Sequence, residues 1–207
     1  MAFSLTDFKS RGLVYGGARP SLFDIQLTVP TGIQLNNQAV QKLTFNATAA
    51  SLPASTVGSI DVPYFGRKIK VAGDRTFTDW TVTIMNDEDF AVRAMMEQWS
   101  NALNQMVANI RPDDTDADYK AVLTVNQYGK NGGGGGQNVV RPIRSYSIIG
   151  AFPTSIDAIN LNWNTTNQIE EYTVTFAYDY WVPVVEQSGK PVSIDSPYST
   201  DGASVSS

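Results

Sequence analysis

The side chains that could do chemistry here are carboxylates, hydroxyls and amides, because the 207-residue chain contains neither histidine nor cysteine. That removes Ser-His-Asp catalysis, thiolate nucleophiles, disulfides and the usual zinc sites. Asp114, Asp116 and Asp118 match the first three ligand positions of a calcium loop. The required glycine is replaced by Tyr119, however, and the twelfth position is Val125 rather than glutamate, so the segment reads as a solvated acidic turn. Gly132 to Gly136 is a run of five glycines with no following Gly-Lys-Ser/Thr, hence a flexible hairpin tip and not a phosphate cradle. The adjacent carboxylates Glu170-Glu171 and Asp113-Asp114 read as a strand start and a turn. Asn46 and Asn164 sit in formal glycosylation sequons, but Met1 to Asp7 lacks the pattern of a secretory signal. No catalytic residues, cofactor or metal are therefore assigned.

Composition narrows the class further. With 42% hydrophobic residues the chain can bury one core, which predicts one domain with arms or tails. The net charge of −5 argues against a basic-patch nucleic-acid binder. No apolar run approaches the roughly eighteen residues of a membrane span, so no membrane anchor is expected.

The elements follow from periodicity. Residues 1–20, rich in glycine, read as an arm, and a domain is expected over 21–181. Ser21 to Val29 alternates as a strand with Phe23, Ile25, Leu27 and Val29 toward the core. Val40 to Ala47 reads as a second strand with Leu43 and Phe45 on one face. Thr48 to Pro63 is a long Ala/Ser/Thr/Gly/Pro stretch, expected as a contacting loop through Leu52, Pro53, Val57, Ile60 and Val62. Strand Phe65–Val71, a turn at Gly73-Asp74 and strand Thr76–Met85 follow, with Trp80, Val82 and Ile84 on one face. Asn86 or Asp87 is positioned to cap a helix over about 87–105, whose Val92, Met95, Met96, Trp99 and Leu103 form one apolar stripe. Tyr119–Tyr128, Val139–Phe152 and Glu171–Trp181 complete the strands, and 182–207 is a Pro/Ser/Gly/Thr/Asp-rich tail expected to be flexible. The fold class is mainly β with one packed helix.

Several blocks carry a resemblance. Arg67-Lys68-Ile69, Val71-Ala72-Gly73-Asp74-Arg75-Thr76-Phe77 and Asp79-Trp80-Thr81-Val82-Thr83, then Met85-Asn86-Asp87, are similar to the tail tube proteins of contractile-tailed, T-even-like bacteriophages. Arg19-Pro20, Leu52-Pro53, Phe152-Pro153-Thr154, Leu161-Asn162-Trp163, Asn167-Gln168-Ile169 and Tyr172 through Trp181 extend it from about Ala18 to Trp181. The glycine run and the segment after Trp181 depart from the pattern, and for those the family implies nothing. The resemblance implies a β-sandwich or partly closed barrel with a helix at its side, similar also to Hcp, the needle protein of type VI secretion. It implies hexameric rings stacked into a tube inside a contractile sheath, with viral DNA passing down the lumen. Sheath, baseplate and tail terminator proteins are the implied partners, and the virion tail, assembled in the host cytoplasm, is the implied location.

Three strands present outward faces of one kind: Asp79, Thr81 and Thr83; Thr124 and Asn126; Glu171, Thr173, Thr175 and Asp179. These faces are small, polar or acidic and hold no arginine. A DNA conduit needs a wall without stacking platforms or cationic clamps, so these residues are expected to line the lumen. Leu52, Pro53, Val57, Ile60 and Val62, with the 1–20 arm, are expected at contacts between subunits or rings. Two alternatives stand beside this: the inner tube of a type VI-like or extracellular injection system, which the lumen argument serves equally, and a carbohydrate-binding or hydrolytic β-sandwich, for which Trp163 and Trp181 are the uncommitted aromatics.

Overall fold

The computed structural model describes residues 4–13, 17–111, 119–130, 142–187 and 190–193, the last two ranges without the side chains of 185–187 and 190–193. The acidic turn at 113–118, the glycine run and the tail from 194 onward lie outside the described residues. A helical turn, α1 (Leu5–Asp7), runs into π-helical Phe8–Gly12. Then come β1 (Phe23–Thr28), α2 (Asn37–Asn46), β2 (Ala47–Ala50), β3 (Ser55–Tyr64), β4 (Arg67–Phe77), β5 (Trp80–Met85) and α3 (Ala91–Leu103). The chain continues through β6 (Ala121–Tyr128), β7 (Pro142–Ile156), β8 (Glu171–Ala177), β9 (Tyr180–Gln187) and β10 (Lys190–Ser193).

One antiparallel sheet has the order β1-β6-β7-β8-β5-β2, with β9 on β7 and β10 on β9. β8 and β9 run in succession along the 15-residue β7, pairing Phe152↔Ala177 and then Ile149↔Tyr180. The join is a bend. Gly150 there has φ +72, and a Cβ on it would lie 2.1 Å from Asp179 Oδ2, so only glycine fits beside that carboxylate. One face of the sheet is apolar: Ile25, Leu123, Val125, Ile148, Val174, Phe176, Val82 and Ile84 are all buried. α3 covers it with Val92, Met95, Met96 and Trp99, as the stripe predicts. Phe176 lies between two indoles, 6.0 Å from Trp80 and 6.1 Å from Trp99.

Four local expectations are corrected. The strand expected over Val40–Ala47 is helix α2, because the buried pair is Ala39 and Leu43, an i, i+4 relation, while Phe45 points to solvent. Asn36 caps it, its Oδ1 accepting from the Gln38 N–H at 2.9 Å. The fold thus has a second packed helix. The long loop is mostly strand β3, paired along its length with β4. Its turn is not Gly73-Asp74 but Phe65-Gly66, where φ values of 45° and 76° suit a tight hairpin. Gly73-Asp74 forms a bulge opposite Gly58, close enough that a Cβ on Gly73 would meet the Gly58 carbonyl at 3.3 Å. Finally, α3 begins at Ala91, later than expected. Neither Asn86 nor Asp87 caps it; Phe90 holds φ 53°, and Asp89 Oδ1 accepts from the Ala91 N–H. The expected boundary at residue 181 falls inside β9.

Candidate functional site

The nine residues expected on one face are not one patch. Register makes Thr81 and Thr175 direct cross-strand neighbours, and likewise Thr83 and Thr173, on the side of β5–β8 away from the core. Glu171, exposed, continues that row opposite Met85. Thr124 and Asn126 lie on β6, across β7, beside Gln26 and Asp24 of β1 and Ser147 and Ser145 of β7. Asn126 is buried: its Nδ2 donates to Asp24 Oδ1 at 2.7 Å, and its Oδ1 accepts from Ser145 Oγ at 2.6 Å. The Tyr128 hydroxyl donates to Asp24 Oδ2 at 2.7 Å, and burial, then this bond, push its pKa up to about 12. Sequence alternation set Asp24 and Asn126 away from the core but gave no sign of this knot, whose bonds join residues up to 104 apart in the chain. Asp79 is exposed just before β5. Asp179 sits in the break between β8 and β9 and pairs with Lys120 at 3.1 Å.

What the sheet strands lack is as consistent as what they carry. β1, β2, β5, β6 and β8 contain no lysine or arginine. The cations are concentrated elsewhere, notably Arg67, Lys68, Lys70 and Arg75 on β4.

The five expected contact residues lie on or at the base of the β3–β4 hairpin. Pro53 is buried, whereas Leu52, Val57, Ile60 and Val62 are exposed. The pairs Ile60↔Val71 and Val62↔Ile69 put four branched aliphatics on one face, continued by Tyr64. Asp61, Lys68 and Lys70 occupy the other, with Asp61 3.6 Å from each ammonium. β3 and β4 form a two-stranded sheet of their own, ten and eleven residues long, or about 30 Å of arm. At its tip Phe65 is 90% exposed and packs edge-on against Tyr64. The arm is tied to the body at its base, where the Trp181 indole N–H donates to the Ala54 carbonyl at 3.2 Å. Trp80 and Trp99 likewise donate to the carbonyls of Ser51 and Tyr119. Three of the four tryptophans are thereby committed to packing, and Trp163 alone stands fully exposed, with Leu161 and Ile169 exposed beside it.

Known proteins place this arrangement. Residues 18–184 match the family model described as phage tail tube protein. The chain is 37% identical over 165 residues to tail tube protein gp19 of Enterobacteria phage T4, covering 79% of this chain and 90% of that one. It is 36% identical over the same span to the gp19 of phage T6. The fold resembles a chain of an extracellular contractile injection system sheath-tube complex (TM-score 0.55, 14% identity, 88% of this chain and 98% of that one). It also resembles a chain of the corresponding sheath/tube terminator (TM-score 0.56, 15% identity, 83% and 99%). With a family model spanning most of its length and relatives matched over nearly theirs, this chain belongs to the phage tail tube protein family.

Proposed function

We propose that the protein is the structural, non-enzymatic subunit of a phage tail tube, assembling as hexameric rings that stack into a DNA conduit. The observation that carries this is the match over 90% of a phage tail tube protein, together with a family model whose span, residues 18–184, includes every strand from β1 to β8. Two features of the molecule support ring formation. The sheet ends in β1 and β2, whose outer edges are open among the described residues, and ring closure pairs such edges. Among the described residues, nothing covers the apolar face of the β3–β4 hairpin either. The threonine rows of β5 and β8, with Glu171 and Asp79, are the proposed lumen wall. DNA meets no cation on those strands, and their two carboxylates repel phosphate, an effect that adds over the subunits of a closed channel. Sheath, baseplate and terminator proteins are the proposed partners, and the phage virion the proposed location.

Negative-stain electron microscopy of the purified chain at low and high concentration tests assembly: rings or tubes with a central channel are expected, and closed dimers would count against the reading. The lumen is tested separately. In tubes, Thr175→Cys is expected to react with a small maleimide but resist a bulky polyethylene-glycol maleimide. Equal reaction with both reagents would remove the threonine rows from the lumen.

A further inference from the structure

Phe45 is a large apolar side chain with nothing over it. It is 82% exposed near the end of α2, two residues before β2, while Ala39 and Leu43 fill the core from the other side of that helix. The exposed face that it shares with Gln38 and Gln41, at i, i+3 and i+7, carries no charge, because the neighbouring Lys42 turns its ammonium to Asp87 and Asp89. A second exposed cluster lies on the loop between β7 and β8, residues 157–170, and consists of Leu161, Trp163 and Ile169. These line a depression of about 410 Å³ whose other walls include the amides of Asn160, Asn162 and Gln168. An apolar cavity of about 150 Å³ already holds a benzene ring, so there is room for a phenyl group.

The sheet puts the two clusters at one level and on opposite margins. Residues 152–156 of β7, then β8, β5 and β2, lie side by side, each antiparallel to the next. β7 has left β6 beyond Ala151, and among the described residues 152–156 pair on the β8 side alone, which makes a third open edge. β2 begins at Ala47, opposite Ile84, and Ile84 in turn faces Tyr172. On the far margin the Asp157 N–H still donates to the Thr173 carbonyl, so Ala158 is in line with Tyr172, Ile84 and Ala47. Phe45 therefore stands just past one margin, and the loop leaves the other at the same height.

Because the four strands alternate in direction, a second copy placed beside the first sets β2 antiparallel to 152–156 of its neighbour. That is the relation of every adjacent pair inside one chain. At the usual strand spacing of about 4.8 Å, the end of α2 abuts the neighbour's loop. The surfaces match in kind, aromatic and aliphatic at the centre and amide at the rim, with tryptophan the residue that most often anchors such contacts.

We propose that Phe45 of one subunit plugs the depression lined by Leu161, Trp163 and Ile169 in the subunit beside it. This deepens the tail tube reading and rests on its ring: the contact is lateral, within one ring. A subunit gives its phenyl group from one margin and receives another on the opposite margin, a heterologous contact that closes under rotation.

The chain holds no cysteine, so introduced thiols report on a single contact while plug and anchor stay in place. Gln41→Cys is mixed with Asn160→Cys or with Asn162→Cys, and the assembled material is treated with a short bismaleimide. At least one mixture is expected to give a dimer with one chain of each kind, at least tenfold above either variant alone. No excess in either mixture overturns the proposal. Phe45→Asp provides a second measurement. It should keep the parent's unfolding transition yet weaken association at least tenfold, whereas Phe45→Leu should hold association within about threefold. Undiminished association of Phe45→Asp also overturns the contact. Rings or tubes without the cross-link mean that something else fills the depression while the tail tube reading stands. The cross-link in open chains that never close supports the contact and overturns the ring. The absence of both overturns both.

Discussion

Two phenols, Tyr172 buried and Tyr128 half-buried, show how single residues bias stability. Tyr172 and Tyr128 both have pKa values pushed up to about 12, chiefly by burial. A tyrosine with a folded pKa above its unfolded value near 10 stabilises the fold fully below pH 10, and that contribution is lost as pH rises through the folded value. Stability should thus fall between pH 10 and pH 12, and absorbance at 295 nm should show both phenols ionising late. Tyr128→Phe should flatten that fall but cost about 1–2 kcal/mol at neutral pH, because Asp24 loses a donor. Tyr172 behaves differently. Its hydroxyl is buried without a hydrogen-bond partner among the described residues, while the Arg93 guanidinium lies 5.0 Å over its ring. Tyr172→Phe should therefore leave the melting temperature unchanged or raise it, since it deletes an unsatisfied group and keeps the ring contact. Gly150→Ala should cost at least about 1–3 kcal/mol in denaturant unfolding, from the left-handed φ alone, before the clash with Asp179 is added.

At the scale of elements, α2 is the most instructive. Leu43→Asp should unfold the domain, whereas Phe45→Asp should be nearly silent, a contrast that a strand with both residues on one face would not show. Asn36→Ala should cost about 1 kcal/mol through the lost cap. α2 was illegible as a helix because its buried stripe is only Ala39 and Leu43, and Leu43 with Phe45 also fits a period of two. α3, by contrast, was legible because four large side chains repeat at helical spacing. β1, β5, β6 and β8 were legible for the matching reason, strict alternation against one apolar face. The hairpin was half-read. Gly73-Asp74 has the composition of a turn, but a glycine is also what a bulge needs where two backbones approach, and sequence does not separate these uses. The lumen candidates fared similarly: local alternation gave the threonines of β5 and β8 their side of the sheet, but not which strands would be neighbours, nor that Asp79 and Asp179 lie outside the strands. The Asp24–Asn126–Tyr128–Ser145 knot contains hydrogen bonds between residues up to 104 apart, beyond any local pattern.

For the whole molecule, the arm and the body divide the labour. Among the described residues, β3 and β4 pair only with each other, and the core contains no residue from either strand. Replacing residues 58–73 by a short turn should leave the unfolding free energy within about 1 kcal/mol while abolishing assembly, read by calorimetry and by sedimentation. The arm also gives the molecule a direction: β3 and β4 leave from the Trp80 end of β5, whereas at the other end the Asn86 N–H donates to the Glu170 carbonyl. Repeating any one heterologous contact between such subunits builds an object with two chemically unlike ends.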